Sequence, residues 1–384
     1  MPSVFFYISG HGFGHASREI EVVNALLATV HALRGGAGLQ AGQSPDIVIR
    51  TSAARWLFDR TVRGAFIYLE GPCDTGVVQI DSLRLDARET IALAADFHRQ
   101  LPGHVDREAA LLRAHDARFV VSDAPPLACA AARAAGVPAV VLSNFTWDWI
   151  YEGYSEELKS APELIPAIRE AYRGASEAWR LPLHGGFETF DRIIDVPFIA
   201  RHAAYDRATV RERLRLPPDR RIALSSFGGY GVTDFDPHRL DCLDTWTVVI
   251  TGRGETPPLP PGACFLDERR IYEAGFRYED VVAAVDVVVT KPGFGIVAEC
   301  LANHTAMLYT SRGRFVEYDV MVTRMPRFLK CEFVAQDAML AGRWREPLER
   351  LMRQPEPPDH PATNGAEIVA EMICERVAAS SDSR

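Results

Sequence analysis

The first apolar run, Val4-Phe5-Phe6-Tyr7-Ile8, is uninterrupted and ends at Ser9-Gly10. Apolar positions then recur at helical spacing through Ile20, Val23, Leu26 and Leu27, so a strand, a tight turn and a helix follow in order. The same alternation continues, with strands predicted at 46–51, 65–69, 119–122 and 139–142 and helices at 87–100 and 127–135. The second of those helices stops at Gly136-Val137-Pro138, a helix C-terminus in its residue types. A second series begins near Arg221, with strands predicted at 222–226, 245–251, 263–265, 285–290 and 306–309. Strand and helix in repetition predict parallel sheets covered on both faces.

The pattern therefore reads as α/β, with two Rossmann-like, doubly wound domains facing a cleft. The boundaries are 1–195 for the first domain, 196–220 for a linker and first helix of the second, 221–360 for the second domain, and 361–384 for a last helix. The linker holds Pro197, Pro217 and Pro218. The last helix, predicted at 365–379 after the Pro-rich stretch 354–361, is expected to return towards the first domain. In such sheets ligands bind outside the carboxyl ends of the strands.

A chain of 384 residues exceeds one typical core, in line with two domains. Its 47% hydrophobic and 24% charged residues describe an ordinary globular protein, and a formal charge of -9 argues against a partner held through nucleic-acid phosphates. The 7 cysteines are scattered, with no C-x-x-C and no zinc spacing, which suits reduced thiols. No basic segment and long apolar core open the chain, and no apolar run approaches the ~20 residues of a membrane span. A cytoplasmic location is the expectation.

Chemistry concentrates first in Gly10-His11-Gly12-Phe13-Gly14-His15. Glycines at alternate positions let a ligand approach the backbone. His15 falls where the helix begins, and the positive end of the helix dipole favours a neutral ring available as a base. One histidine here reads as turn padding; two among three glycines point to a ligand. A base histidine needs a carboxylate to hold its tautomer. Asp123, just past the predicted strand 119–122 on the same sheet edge, is the first candidate and Asp148 the reserve, while Asp123 reads equally well as a cap for the helix at 127.

The second concentration is Lys291-Pro292-Gly293-Phe294-Gly295, between a predicted strand and a helix that carries Glu299. Gly293 and Gly295 present backbone N–H groups at a helix N-terminus, an anion site to which Lys291 adds a charge. Glu299 lies one turn down the same face, as a nucleotide's diphosphate and ribose hydroxyls would require. The plainer reading is a tight turn with a surface glutamate. Asp234-Phe235-Asp236 matches a short metal motif of another fold, and so short a match arises readily by chance.

These features resemble the GT-B glycosyltransferases, in which a basic residue stands eight positions before a helical glutamate. In plant secondary-metabolite transferases and the bacterial cell-wall N-acetylglucosaminyltransferase that basic residue is His or Arg; here it is Lys291. A narrower resemblance covers almost the whole chain. The stretch from Tyr7 through His15 to Arg18 resembles the N-terminal glycosyltransferase-like half of plant L-arabinokinases and its free-standing bacterial relatives. So do Val121-Ser122-Asp123, Asn144-Phe145-Thr146-Trp147-Asp148-Trp149-Ile150-Tyr151, Ile194-Asp195-Val196-Pro197, Phe227-Gly228-Gly229 and Asn364-Gly365. The Gly/Ser phosphate loop of the sugar-kinase half has no counterpart in these residues, so arabinose phosphorylation is not expected of them.

The resemblance implies His15 as general base, with Gly228, Gly229, Lys291, Gly293 and Gly295 on the departing diphosphate. It implies Glu299 on the ribose, Glu317 on the donor sugar, and the nucleobase read near Phe276 and Tyr278. His11, Gly12, Gly14, Arg18, Asn144, Trp147 and Asp148 fall on the acceptor or phosphate side. The aromatic set Phe145, Trp147, Trp149 and Tyr151 is divided between acceptor stacking and core. Retaining relatives carry two glutamates eight positions apart; Lys291 holds the first position, so inversion is expected. The expected partners are a nucleotide diphosphate sugar, UDP-linked by first choice, and a hydroxyl acceptor, with no metal and no cofactor. The alternatives are a non-hydrolysing sugar-nucleotide epimerase and a non-catalytic sugar-nucleotide-binding regulator.

Overall fold

The structure is a computed structural model that describes residues 2–35, 45–227, 232, 235–252 and 258–381. The chain divides into two compact units. The first is Met1–Val78, Asp86–Ile199 and Asn364–Arg384; the second is Gln79–Leu85 and Ala200–Thr363.

In the first unit the strands are β1 (Ser3–Ile8), β2 (Asp46–Thr51), β3 (Ile67–Glu70), β4 (Ala117–Asp123), β5 (Ala139–Phe145), β6 (Glu177–Gly185) and β7 (Ile193–Asp195). They form one sheet in the order β3-β2-β1-β4-β5-β6-β7, parallel at every pairing. The order reverses direction at β1, whose neighbours are β2 and β4, so the crevice of a doubly wound sheet opens at the carboxyl ends of β1 and β4. The register sets Ile8 opposite Asp123. The core beneath joins Phe5, Tyr7, Val48 and Val120 to the small face Ala128-Ala131-Ala132 of the helix Pro126–Ala135. That helix ends at Gly136 with φ +71°, where the left-handed conformation favours glycine.

The C-terminal helix Gly365–Ser381 belongs to this first unit and packs along the helix Phe13–Gly35 and against β4. Arg376 ties it to β6, donating from Nε to Glu177 Oε1 at 3.0 Å.

In the second unit the strands are β8 (Arg221–Ser225), β9 (Trp246–Gly252), β10 (Ala263–Asp267), β11 (Val287–Thr290), β12 (Ala306–Tyr309) and β13 (Cys331–Phe333). Their order, β10-β9-β8-β11-β12-β13, places a second switch between β8 and β11. The excursion Gln79–Leu85 joins this unit because Leu83 is buried in its core among Ala223, Val248, Val287 and Trp344. The chain leaves the first unit at Val78 and returns at Asp86, whose N–H donates to the Val78 carbonyl at 2.9 Å.

Three strands lack the apolar signature that marks the others. β6 reads Glu-Ala-Trp-Arg-Leu-Pro-Leu-His-Gly, with a proline in its run, while β7 and β13 are three residues each. All seven cysteines are free thiols.

Candidate functional site

The turn after β1 is shaped by close approach on one side and open space on the other. A Cβ at Gly10 would stand 2.0 Å from Ser52 Oγ, whereas Gly12, at φ +75°, and Gly14 have nothing within 4 Å of the corresponding position. The helix starts at Phe13, which puts His15 in its first turn. There His15 Nδ1 lies 2.9 Å from Asp123 Oδ1, at the end of β4. Asp123 lies against His15 and not at a helix N-terminus. The helix Pro126–Ala135 has Pro125 at its N-cap and no side-chain cap, while both Asp123 oxygens are engaged by His15 and Arg18. Asp148 lies elsewhere in the network, accepting from Arg169 Nε at 2.9 Å.

Arg18 completes the cluster. Only 4% exposed, it donates from Nε to Asp123 Oδ2 at 2.7 Å, from one terminal nitrogen to Asn144 Oδ1 at 2.6 Å, and from the other to Ser143 Oγ at 3.1 Å. A second bond from Arg18 reaches Asp123 Oδ1. These bonds place Arg18 and Asn144, which the resemblance put on the acceptor or phosphate side, inside the support of Asp123. Burial alone would push the Asp123 carboxyl up, but the charges and hydrogen bonds of Arg18 and His15 hold it below the usual carboxylate range. An ionised Asp123 only accepts and lies nearer to His15 Nδ1, at 2.9 Å, than does the donor Arg18 Nη2, at 3.1 Å; with its proton on Nδ1 the ring has Nε2 as its basic nitrogen.

Two further carboxyls sit by this pair, and neither stands out in the sequence. Glu19 is buried, and that burial, reinforced by the Asp123 charge, raises its carboxyl well above the usual range. As two carboxylates, Glu19 and Asp123 have no proton to share; a neutral Glu19 carries one, enough for a bond to Asp123 from one of its two oxygens. Asp74, in the loop after β3, accepts from Ser9 Oγ at 3.0 Å and from Trp147 Nε1 at 2.9 Å. Burial pushes it up to about 6, against those two bonds and the nearby His15. In sequence Asp74 lies within Gly71-Pro72-Cys73-Asp74-Thr75-Gly76 and reads as a turn residue. Only sheet register brings it beside Ser9.

His11 fits against Gly76, at which a Cβ would be 2.8 Å from its ring, and accepts the Val77 N–H on Nδ1 at 3.3 Å. Phe145, Trp147 and Tyr151 are core residues, with Trp147 only 1% exposed and stacked on Tyr151 at 5.4 Å. Trp149 covers Gly185.

In the second unit Lys291 follows β11 directly. The helix Phe294–Ala302 begins behind Gly293, its N-cap, with no side-chain cap and no acidic residue in the first turn, and Gly295 lies in that turn. Lys291 Nζ stands 4.0 Å from where a Cβ at Gly293 would be. Burial first, then the charge of Arg312, pulls the Lys291 ammonium well below the usual lysine range, with Glu317 opposing. The Arg312 guanidinium lies over the Phe315 ring at 3.6 Å, and Glu317 opens the helix Glu317–Arg324.

Glu299 is buried, and its Oε1 accepts from Arg201 Nε at 2.7 Å; Arg201 also faces Glu279 Oε2 at 3.3 Å. Sequence spacing gave no sign of this arginine, which lies ninety-eight positions from its partner. The Tyr278 hydroxyl donates to Ser226 Oγ at 2.6 Å and Phe276 is buried. Gly228, Gly229 and Asp234 lie outside the described residues. Asp236 caps a short turn by accepting from the His238 N–H at 3.0 Å. Among the described residues no group of three or more His, Cys, Asp or Glu could hold a metal ion, and no helix is long and apolar enough to cross a membrane.

Two parallel, doubly wound sheets of seven and six strands, each with a Gly-rich turn at its switch point, define the GT-B fold, and solved glycosyltransferases share it. The glycotransferase of kitacinnamycin matches over 98% of this chain and 99% of its own, with a TM-score of 0.63 and 16% identity. A UDP-glucosyltransferase from Polygonum tinctorium that glucosylates indoxyl matches over 99% of this chain and 94% of its own, with a TM-score of 0.57 and 13% identity. In sequence, the chain is similar to the L-arabinokinase of Arabidopsis thaliana, 29% identical over 375 residues. That match covers 96% of this chain and 34% of the relative, so the chain spans about a third of that protein's length. No family model matches.

Proposed function

We propose that this protein is an inverting glycosyltransferase that moves a sugar from a nucleoside diphosphate sugar, UDP-linked by first choice, to a hydroxyl acceptor. The observation that carries the reading is the His15–Asp123 pair at the switch point of the first sheet. His15 Nε2 takes the acceptor's hydroxyl proton as the acceptor oxygen bonds to the anomeric carbon. The bond from that carbon to the diphosphate oxygen breaks, and its electron pair leaves with the nucleoside diphosphate. Attack opposite the leaving group inverts the anomeric centre. Asp123 stabilises the imidazolium so formed. The helix N-terminus at Gly293 and the Lys291 ammonium hold the departing charge. Glu299, oriented by Arg201, is assigned to the ribose and Glu317 to the donor sugar. The machinery named uses no metal. The UDP choice is supported by the activity of the Polygonum enzyme, a UDP-glucosyltransferase.

The test begins with a melting experiment. UDP without magnesium at about 100 times its dissociation constant is expected to stabilise the protein by about 2.7 kcal/mol, and Lys291→Ala to remove most of that shift. His15→Ala is expected to keep the shift and lose about 10²- to 10⁴-fold in transfer rate. Equal shifts with and without Lys291, or full transfer without His15, overturn the assignment. Acceptor-independent turnover of the sugar nucleotide to an epimer would replace it with the epimerase reading.

A further inference from the structure

The rim beside His15 is built for hydroxyl groups. Of the aromatic set, Trp147 and Tyr151 are buried and stacked on each other, and the half-buried Trp149 lies over Gly185. Accessible at the same edge are His11, Asp74 and the open backbone of Gly12 and Gly14. Asp74 is held in one orientation. Ser9 Oγ donates to one oxygen at 3.0 Å and Trp147 Nε1 to the other at 2.9 Å. Ser9 Oγ is itself fixed, accepting the His11 N–H at 3.2 Å. Asp74 is half-buried as a residue, and each of its carboxylate oxygens, holding one bond, retains capacity to accept a second from a neighbouring hydroxyl.

We propose that Asp74 is the carboxylate that recognises the acceptor, and that the acceptor is a polyhydroxylated molecule, a sugar or polyol, rather than a flat apolar aglycone. The proposal rests on the glycosyltransferase reading for the word acceptor, but its binding chemistry stands on the geometry of this edge. At the start of the helix that carries His15, Phe13 and Trp56 meet edge-on at 6.1 Å, and Phe13 is 37% exposed, an apolar surface for the C–H face of a sugar. The ionisable groups that interact with Asp74 are His15, Asp123, Cys73, Tyr151 and Tyr172, with Ser9 and Trp147 as its direct partners.

The experiment is saturation-transfer NMR on the full chain with UDP present. The probes are a panel of aldoses with myo-inositol, and quercetin as the flat aromatic. At pH 7.5 at least one polyol is expected to bind the wild type, and Asp74→Asn is expected to weaken it at least tenfold. In the wild type the same binding is expected to fall as pH drops from 7.5 to 5 and the carboxyl is protonated. That second measurement decides the matter if the variant does not fold. No bound polyol, polyol binding indifferent to both Asp74→Asn and pH, or quercetin bound equally by both proteins overturns the proposal. The UDP melting shift separates the two readings. Polyol binding without any nucleotide shift removes the glycosyltransferase assignment and leaves the polyol site. A nucleotide shift with quercetin binding does the reverse.

Discussion

The two sheet edges solve the problem of charge in opposite ways. At the first, every charged group of the base has its counterpart within the protein: His15 on Asp123, Asp123 on Arg18, Arg18 on Asn144 and Ser143. At the second, the Lys291 ammonium has no hydrogen bond or ion pair among the described residues, and the helix N-terminus beside it has no side-chain cap. A self-satisfied cluster is preorganised, so its geometry does not wait for a ligand. A cation at an uncapped helix N-terminus is instead completed by an anion, and its charge state follows that anion. The comparison teaches that orientation is the product of the first edge and anion affinity that of the second.

The comparison breaks most visibly at Asp123. Replacing it with Ala leaves Arg18 charged and buried without its main partner, which is expected to cost about 3–5 kcal/mol in urea unfolding. The same logic gives a pH dependence. Because the folded-state value of Asp123 is lowered, its stabilising contribution is present above the ordinary carboxylate range and is lost as pH falls through the folded value. A variant within about 0.5 kcal/mol of wild type would mean that the first cluster is not held together by this charge.

The second edge is sharpened by pH. The free Lys291 ammonium titrates well below its usual range, and a bound diphosphate raises it, so the complex holds more protons than the free protein. UDP affinity is therefore expected to rise as pH falls through the range between the raised value of the bound ammonium and the lowered value of the free one, by up to about tenfold per unit. Lys291→Arg keeps its charge throughout and is expected to flatten that dependence. Calorimetric titrations that find one affinity across this range for the wild type would remove the contrast between the edges.

The smallest effect belongs to Glu19. As a neutral acid donating to Asp123 it is replaced well by an amide, so Glu19→Gln is expected to change stability by less than about 0.5 kcal/mol. Glu19→Ala removes a buried side chain and its donor together, and is expected to cost about 1–3 kcal/mol. A large loss in Glu19→Gln, measured by the same unfolding curves, would mean that the buried group is charged.

Local pattern carried a large share of this protein. Uninterrupted apolar runs such as 4–8 and 287–289 announce strands buried on both faces, and the alternation with helices leads to two doubly wound sheets. Gly-rich turns directly after such strands announce ligand edges, because strand ends and helix starts are local features. That reasoning reached His15, Asp123, Lys291 and Gly293 from the chain alone. Tertiary structure decided the rest. Asp123 rather than Asp148 meets His15 because β4 pairs with β1 in the register that sets Ile8 opposite Asp123. Asp74 and Arg201 reach their partners from sixty-five and ninety-eight positions away, and no spacing rule spans such a distance. Leu83 leaves the first unit's sequence to join the second unit's core, a placement invisible in a seven-residue segment without periodicity. Periodicity reports which face of an element is buried; which distant side chain fills the space opposite depends on how the sheets are ordered and registered.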